Sequence, residues 1–471
     1  MRKALVITYY WPPAGGSGVQ RWLKFSKYLR EFGYEPIIYT PENPEFMATD
    51  KSLEAEIPEG LEVIKRRIWE PYSLYKKVTG RKEAIRPGFI SNHDSVAGAS
   101  ISVGTNASAG ANINTKKKAS IKKTSFKERL SFFIRSNLFF PDPKMFWIRP
   151  SVKFLKRYVV QNGIDIIVTT GPPHSMHIIG RRVSEATSVP WIADFRDPWT
   201  KMYNFKYMGY TSLMKSNHER AERKILTSAD AVVTVTETIR AELEQIIYSE
   251  KGQHNQKTEK SKVFVVTNGY DESDFATPAP KLEPHFTITF TGLFVKSQNP
   301  VRFWKILSEM VAEDPVFAGD LKIRLIGHID QTIFDDISAS GLNENLIAMD
   351  YMAHEEVINY QRSAQILLLS IGCEPEAKGI LTGKFFEYLA ARRPIVAFGI
   401  KGGDIDLALE KNSAGTMFPY NDENEVKAYI EALYKEFRNA GIPYTSGAIE
   451  RYSRRNLTEE IASIMDKYVK D

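Results

Sequence analysis

Short runs of β-branched and other apolar residues, apolar on both faces, recur along the whole chain with helical patterns between them. A strand that is apolar on both faces must be covered on both, and parallel neighbours need long crossover connections. This alternation therefore restricts the chain to parallel sheets wrapped by helices, an α/β fold. In the first half the runs are Ala4 to Tyr10, Tyr34 to Thr40, Ile164 to Thr170, Trp191 to Asp194, Ala231 to Thr236 and Val263 to Thr267. In the second half they are Phe286 to Thr291, Lys322 to Ile326, Ile366 to Ser370, Ile395 to Phe398 and Thr416 to Phe418. The pattern restarts after the Pro-rich Thr277-Pro278-Ala279-Pro280-Lys281, which reads as a linker between two doubly wound domains. Asn456 with Glu459 reads as a helix cap, and Leu457, Ile461, Ile464, Met465 and Tyr468 line one face of a terminal helix that needs a surface to cover. The expected division is 1–280, 281–445 and a terminal helix over 446–471.

Composition excludes a few classes. With 471 residues, 43% hydrophobic and 25% charged, the chain has the usage of a globular enzyme able to bury a sizeable core. Its single cysteine, Cys373, excludes an internal disulfide framework and a Cys-cluster metal site and suits a reducing, cytoplasmic compartment. Met1-Arg2-Lys3 runs directly into a short strand rather than a signal peptide, and no stretch approaches the ~18 apolar residues of a transmembrane helix.

The net charge of +6 is unevenly spread: Tyr75 to Tyr158 holds 18 Lys and Arg against 4 Asp and Glu, which leaves the remainder at −8. Residues 81–125, rich in Ser, Ala, Gly, Asn and Lys, read as a flexible insertion. Beyond them Phe132, Phe133, Phe139, Phe140, Phe146 and Trp147 are interleaved with Arg135, Lys144, Arg149, Lys153, Lys156 and Arg157. Such a face suits an anionic membrane surface better than nucleic acid; the alternative is a core helix with a solvated basic side.

In open α/β sheets ligands bind beyond the carboxyl ends of the strands, so the loops that follow strands are the candidates for chemistry. The most informative is Gly383-Lys384 opening a helix that runs to Ala390, before the strand at Ile395. A helix N-terminus offers free amide donors and partial positive charge, Lys384 adds a full charge, and Glu387 lies one turn inside as an acceptor. A phosphate site beside a hydroxyl site is what a nucleotide-sugar requires; the plain alternative is an amphipathic helix with a surface lysine. The first loop, Pro12-Pro13-Ala14-Gly15-Gly16-Ser17-Gly18, lets backbone approach a ligand, but Arg21 stands where a dinucleotide fingerprint has its third glycine, which disfavours hydride transfer. Gly171-Pro172-Pro173 carries His174 to a strand end. In Asp194-Phe195-Arg196-Asp197-Pro198-Trp199, two carboxylates flank one Arg, as either a salt-bridged turn or an acceptor cluster. Gly292 and Lys296 follow the Phe286 strand and precede Asn299-Pro300, which reads as an N-cap with Pro at the first helical position.

These loops, in this order, resemble the GT-B type glycosyltransferases, especially bacterial members of the large family 4 (group 1). The resemblance rests on the Pro-Pro-Ala-Gly-Gly loop, Gly171 to His174, Asp194 to Trp199, Thr267-Asn268-Gly269-Tyr270-Asp271, and Gly383 to Ala390 with Arg393-Pro394. It implies two Rossmann-like domains facing across a cleft, acceptor bound by the first, nucleotide-sugar by the second, and a C-terminal helix returning to the first. It also implies a retaining transfer with neither metal nor cofactor. One departure stands out: members commonly carry two glutamates eight positions apart here, and while Glu387 matches the second, Gly379 occupies the first. Glu374, Glu376 or the amides of residues 379–382 are the substitutes in reach.

Departure of a nucleoside diphosphate builds negative charge while the sugar becomes oxocarbenium-like, so preorganised positive groups are the main need. The expected roles follow. Lys384 and Lys296 stabilise the leaving phosphate, and Gly15, Gly16, Gly292, Thr382, Gly383 and Glu387 bind donor. His174 orients a sugar hydroxyl, and Asp194 with Arg196 positions a glycan or lipid-linked acceptor of cell-surface polysaccharide synthesis. A nucleotide-sugar epimerase and a non-catalytic carbohydrate-binding scaffold are the alternatives.

Overall fold

The computed structural model describes residues 1–46, 49–70, 132–134, 136–249, 261–445 and 447–469. The basic insertion expected over 81–125, and Arg135, lie outside the described residues. Two sheets form, with every strand pair parallel. The first comprises β1 Arg2–Ile7, β2 Tyr34–Pro41, β3 Glu62–Arg66, β4 Ile166–Gly171, β5 Trp191–Phe195, β6 Ala231–Thr234 and β7 Val263–Val265, in the order β3-β2-β1-β4-β5-β6-β7. The second comprises β8 Phe286–Thr291, β9 Leu321–Ile326, β10 Leu346–Met349, β11 Ile366–Ser370, β12 Ile395–Phe398 and β13 Gly415–Phe418, ordered β10-β9-β8-β11-β12-β13.

Side chains alternate across each strand, so each sheet feeds two cores. On β1, Leu5 and Ile7 join Tyr39, Trp147 and Val183 on one face, while Ala4 and Val6 join Trp22, Ile38 and Ile461 on the other. Helices α1 Ser17–Tyr28, α2 Met145–Asn162, α3 Ser175–Thr187, α4 Ser212–Ser228 and α5 Glu237–Tyr248 accompany the first sheet. Helices α6 Val301–Glu313, α7 Pro315–Asp320, α8 Gln331–Ala339, α9 His354–Ser363, α10 Gly383–Ala391, α11 Asp404–Lys411 and α12 Asn424–Asn439 accompany the second. The last helix, α13 Arg454–Asp466, returns to the first sheet's core through Leu457, Ile461, Ile464 and Met465. Each such buried side chain contributes about 1.5–3 kcal/mol of apolar burial, enough to hold the helix there.

Strand order reverses between β1 and β4 in the first sheet and between β8 and β11 in the second. Those reversals open a crevice at the strands' carboxyl ends. The loops that leave these four strands are the ones carrying Gly15 and Gly16, His174, Gly292 and Lys296, and the 371–382 approach to Lys384.

Two caps differ from the sequence reading. Ser453, not Asn456, caps α13 by accepting from the Asn456 amide at 3.2 Å, and the Asn456 side chain donates to the Glu450 carbonyl instead. Asn299 does not cap α6 either: its amide donates to Asp336 at 2.7 Å and its oxygen accepts from the Trp304 indole at 2.7 Å. In both places another partner, distant for Asn299 and local for Asn456, takes the side chain that capping rules assign to the helix end.

Candidate active site

In the second sheet the site is built around Lys384. Thr382 ends its extended segment by accepting from the Phe385 amide at 3.3 Å, so α10 starts at Gly383 with the amides of Gly383 and Lys384 outside its own ladder. The Lys384 ammonium lies 3.6 Å above the centre of the Phe290 ring, which stacks on Phe294. Gly292 turns beneath it with φ 96°, and a Cβ there would come within 3.3 Å of the Lys384 side chain. Glycine thus serves both the left-handed backbone and the room for the lysine. Burial pushes the Lys384 pKa down to about 7, with Glu387 countering.

Glu387, one turn along, accepts from the Gln361 amide at 3.0 Å. The same amide donates to Thr291 at 3.1 Å, and Thr291 also meets the buried Tyr388 hydroxyl. Tyr388 and Gln361 therefore lock Glu387 to the end of β8. His354, the first residue of α9, has its pKa raised to about 9 by its hydrogen bond to Asp274, with the Glu387 charge adding to it. Lys296 is exposed on the single turn Lys296–Gln298 that follows the Gly292 bend. Arg393, in contrast, is fully buried and donates to the carbonyls of Ala364, Gln365 and Ile442, so it pins the second domain together rather than facing a ligand.

In the first sheet Arg196 joins the two candidate loops. Its guanidinium donates to the Gly171 and Pro172 carbonyls and lies so close to Gly18 that a Cβ there would sit 2.6 Å from Nη1. Gly16, with φ 105°, leads directly into α1, and Gly15 precedes it. His174 is the residue before α3. Its ring stacks on Trp199 at 4.3 Å and 4°, its Nδ1 is buried without a partner, and burial, reinforced by the neighbouring His177, His218 and Arg196, holds its pKa far below the ordinary value. It is therefore a neutral imidazole with hydrogen-bonding capacity to spare.

Asp194 departs from its expected acceptor role. Its side chain shares the face of Ile192 on β5, which points towards α1, and it is fully buried. Its oxygens accept from Arg21 at 3.1 Å, the Trp22 indole at 2.8 Å and Thr170 at 2.9 Å, which leaves no lone pair facing the crevice. Its partner is Arg21 rather than Arg196. Arg21 also donates to the carbonyls of Val266 and Thr267 at 2.9 Å, so this buried pair ties α1 to the chain that leaves the first domain.

That exit, Thr267 to Asp271, runs beside the returning segment before α13. Tyr270 and Arg454 exchange backbone bonds with Tyr452 and Tyr270, at 3.1 and 2.9 Å. Asp271 accepts from Lys24 at 2.7 Å, Lys27 at 3.1 Å and Tyr28 at 2.9 Å; burial alone would raise its pKa, but these cations hold it well below the usual carboxylate range. The two halves also touch at the other edge of the crevice: Lys206 pairs with Glu376, and the α5 amide of Thr238 donates to Asp404. Gly379 is buried here, with its added Cβ only 3.2 Å from Thr238. Glu376 is thus engaged across the crevice, and Glu374 folds back onto Gly372.

Comparison with known proteins agrees with this architecture. A glycosyl transferase 4-like domain model matches residues 139–253, and a glycosyl transferases group 1 model matches residues 285–436, together more than half of the chain. No curated protein matches it significantly by sequence. Among solved structures, a UDP-forming α,α-trehalose-phosphate synthase from Burkholderia xenovorans aligns over 100% of both chains at 10% identity with a TM-score of 0.55. A glycosyltransferase from Rickettsia africae aligns over 100% of this chain and 94% of its own at 14% identity, TM-score 0.51. A sucrose-phosphate synthase from Thermosynechococcus elongatus does so over 100% and 95% at 12% identity, TM-score 0.51. At such identities the structures speak for the fold, and the two domain models speak for the family. With both matches in this order on a chain of two facing Rossmann-like domains, the protein belongs to the group 1 glycosyltransferases and has the GT-B fold.

Proposed function

We propose that the protein moves a sugar from a nucleoside diphosphate donor, held by the second domain, to a glycan or lipid-linked acceptor at the first, with retention of configuration, in cell-surface polysaccharide synthesis. The observation that carries this reading is the start of α10: capped by Thr382, open at the Gly383 and Lys384 amides, with the Lys384 ammonium over Gly292 and Glu387 held one turn away. A diphosphate at that end meets a helix N-terminus and a lysine whose charge is short of solvation, while Glu387 accepts from a ribose hydroxyl.

As the bond to the leaving phosphate stretches, charge grows where Lys384 and the amides already point, and no solvent has to reorganise. Lys296 approaches the same phosphates from the β8 loop. This arrangement dispenses with a metal in our reading. Backbone at Gly15 and Gly16 faces the reacting sugar, neutral His174 orients one of its hydroxyls, and Arg196 fixes the loops that receive the acceptor. Gly379 removes the carboxylate that the family commonly offers the sugar, and the amides of residues 379–382 take its place in holding it.

The trehalose-phosphate synthase of like fold is UDP-forming, so UDP is the first base to test. Thermal-shift titration of wild type and Lys384→Ala with UDP, GDP and ADP checks the reading. A selective shift in wild type that the variant loses is expected. Folded protein with no shift for any of the three overturns it.

A further inference from the structure

Helix α2 carries a surface that the transfer chemistry leaves unused. Its inner side buries Trp147, Ile148, Ser151, Leu155 and Val159, and Trp147 stacks on Tyr39 at 4.8 Å. The opposite side exposes Phe146, Arg149, Lys153, Lys156, Arg157 and Val160. Arg149, Lys153, Lys156 and Arg157, with Arg182 of α3, line an open groove of about 400 Å³. The helix contains no Asp or Glu. Nearby carboxylates are engaged elsewhere, Glu62 by Tyr158 and Glu185 by Arg181. Among the described residues none of the five groove cations has a carboxylate partner. Five like charges on one face repel each other and gain only from an anionic surface placed against them.

The amino end of the same helix is different in kind. Phe146 is 39% exposed, Trp69 packs edge-on against it at 4.5 Å while itself 52% exposed, and Leu138 is 66% exposed. Asp142, just before α2, accepts from the Ser175 amide and hydroxyl at 2.8 and 2.7 Å, so this apolar end lies at the same end of the fold as His174. Trp147 and Lys144, interleaved with this face in the sequence, do not belong to it: Trp147 is core, and Lys144 is held by Glu70.

We propose that this face docks the protein on an anionic lipid bilayer, with the groove cations among the headgroups and Trp69, Phe146 and Leu138 in the interfacial layer. A polyanion such as nucleic acid would satisfy the cations but leave the apolar end in water; a bilayer accommodates both. The orientation sets the acceptor loops next to the membrane, and this use rests on the proposed lipid-linked acceptor, whereas docking itself does not depend on turnover.

The test is sedimentation of the full chain with phosphatidylcholine vesicles and with phosphatidylcholine–phosphatidylglycerol vesicles. Binding is expected only to the anionic vesicles, weakening with salt. A drop of about tenfold or more is expected in Lys153→Glu with Arg157→Glu, and a clear drop in Trp69→Ser with Phe146→Ser. Undiminished binding by either double variant overturns the proposal. So does inorganic phosphate that displaces the protein better than chloride at equal ionic strength, which would mark a small-anion groove. Unchanged thermal unfolding and nucleoside diphosphate shifts in both variants show that their fold and donor site persist, so loss of docking is separable from failure of the transfer reading.

Discussion

Lys384 sits where its own charge is poorly solvated, against an aromatic ring and over a glycine bend, and its pKa of about 7 leaves it only partly protonated at neutral pH. In the proposed donor site a diphosphate would supply the missing counter-charge and draw the proton on. Binding of a nucleoside diphosphate is therefore expected to take up close to one proton near pH 8. Its affinity should fall with pH, approaching tenfold per unit between about 7 and 9. Calorimetry in buffers of different ionisation enthalpy measures the uptake, and Lys384→Arg, charged throughout, should abolish it. Binding with no proton uptake would place the diphosphate away from Lys384. This residue was legible because helix position and charge stand together in the sequence. The Arg21–Asp194 pair was not, since 173 residues separate its members and only the packing of α1 on β5 joins them.

At the scale of elements, β4, α3 and α4 meet around three buried histidines: His177 and His218, each with a ring nitrogen lacking a partner, and His174. Burial lowers His177 to about 3 and His218 to about 4, and lowers His174 as well. Unfolding releases imidazoles that bind protons at about pH 6.5, so the unfolded chain binds more protons than the native one between that value and the lowered native ones. Stability is thus full above about pH 6.5 and falls as pH drops. Between pH 6.5 and 5 the cost is about 1–2 kcal/mol each for His177 and His218. Thermal unfolding against pH should show this slope, and His218→Gln should flatten it. An equal slope in that variant would rule out His218 as a contributor. The interior strands were readable from their doubly apolar runs. β3 and β10 were not, because both are edge strands whose residues are mostly half-buried or exposed, whereas the edge strands β7 and β13 keep a buried Val263 and a buried Met417 and Phe418. Missing β10 also concealed His354, which opens the helix that follows it.

The whole molecule is joined where the chain leaves the first domain and where it returns, and these two crossings pair with each other. Arg454, buried beside Arg21, Asp271, Asp274 and Glu387, has its pKa lowered to about 10 by burial, and its Nη1 lacks a partner. The clasp thus lies within electrostatic reach of Glu387. Gly269 makes the pairing possible: a Cβ there would sit 2.1 Å from the Tyr452 carbonyl oxygen, which belongs to backbone and cannot swing aside. Gly269→Ala must push the returning segment away, breaking its bonds to Tyr270 and loosening α13 from α1. The expected result is a loss of at least about 1–3 kcal/mol with faster amide exchange in α13 and α1, ahead of any change around β8 to β13. Gly319→Ala is the control: nothing lies within 4 Å of its Cβ, and it sits in the short helix α7, where alanine is the better helix former. Exchange that rises equally in both sheets, or not at all, would mean that the crossings do not hold the returning helix. Exchange confined to α1 and α13 would instead show that one glycine lets a single chain close two sheets into one enzyme.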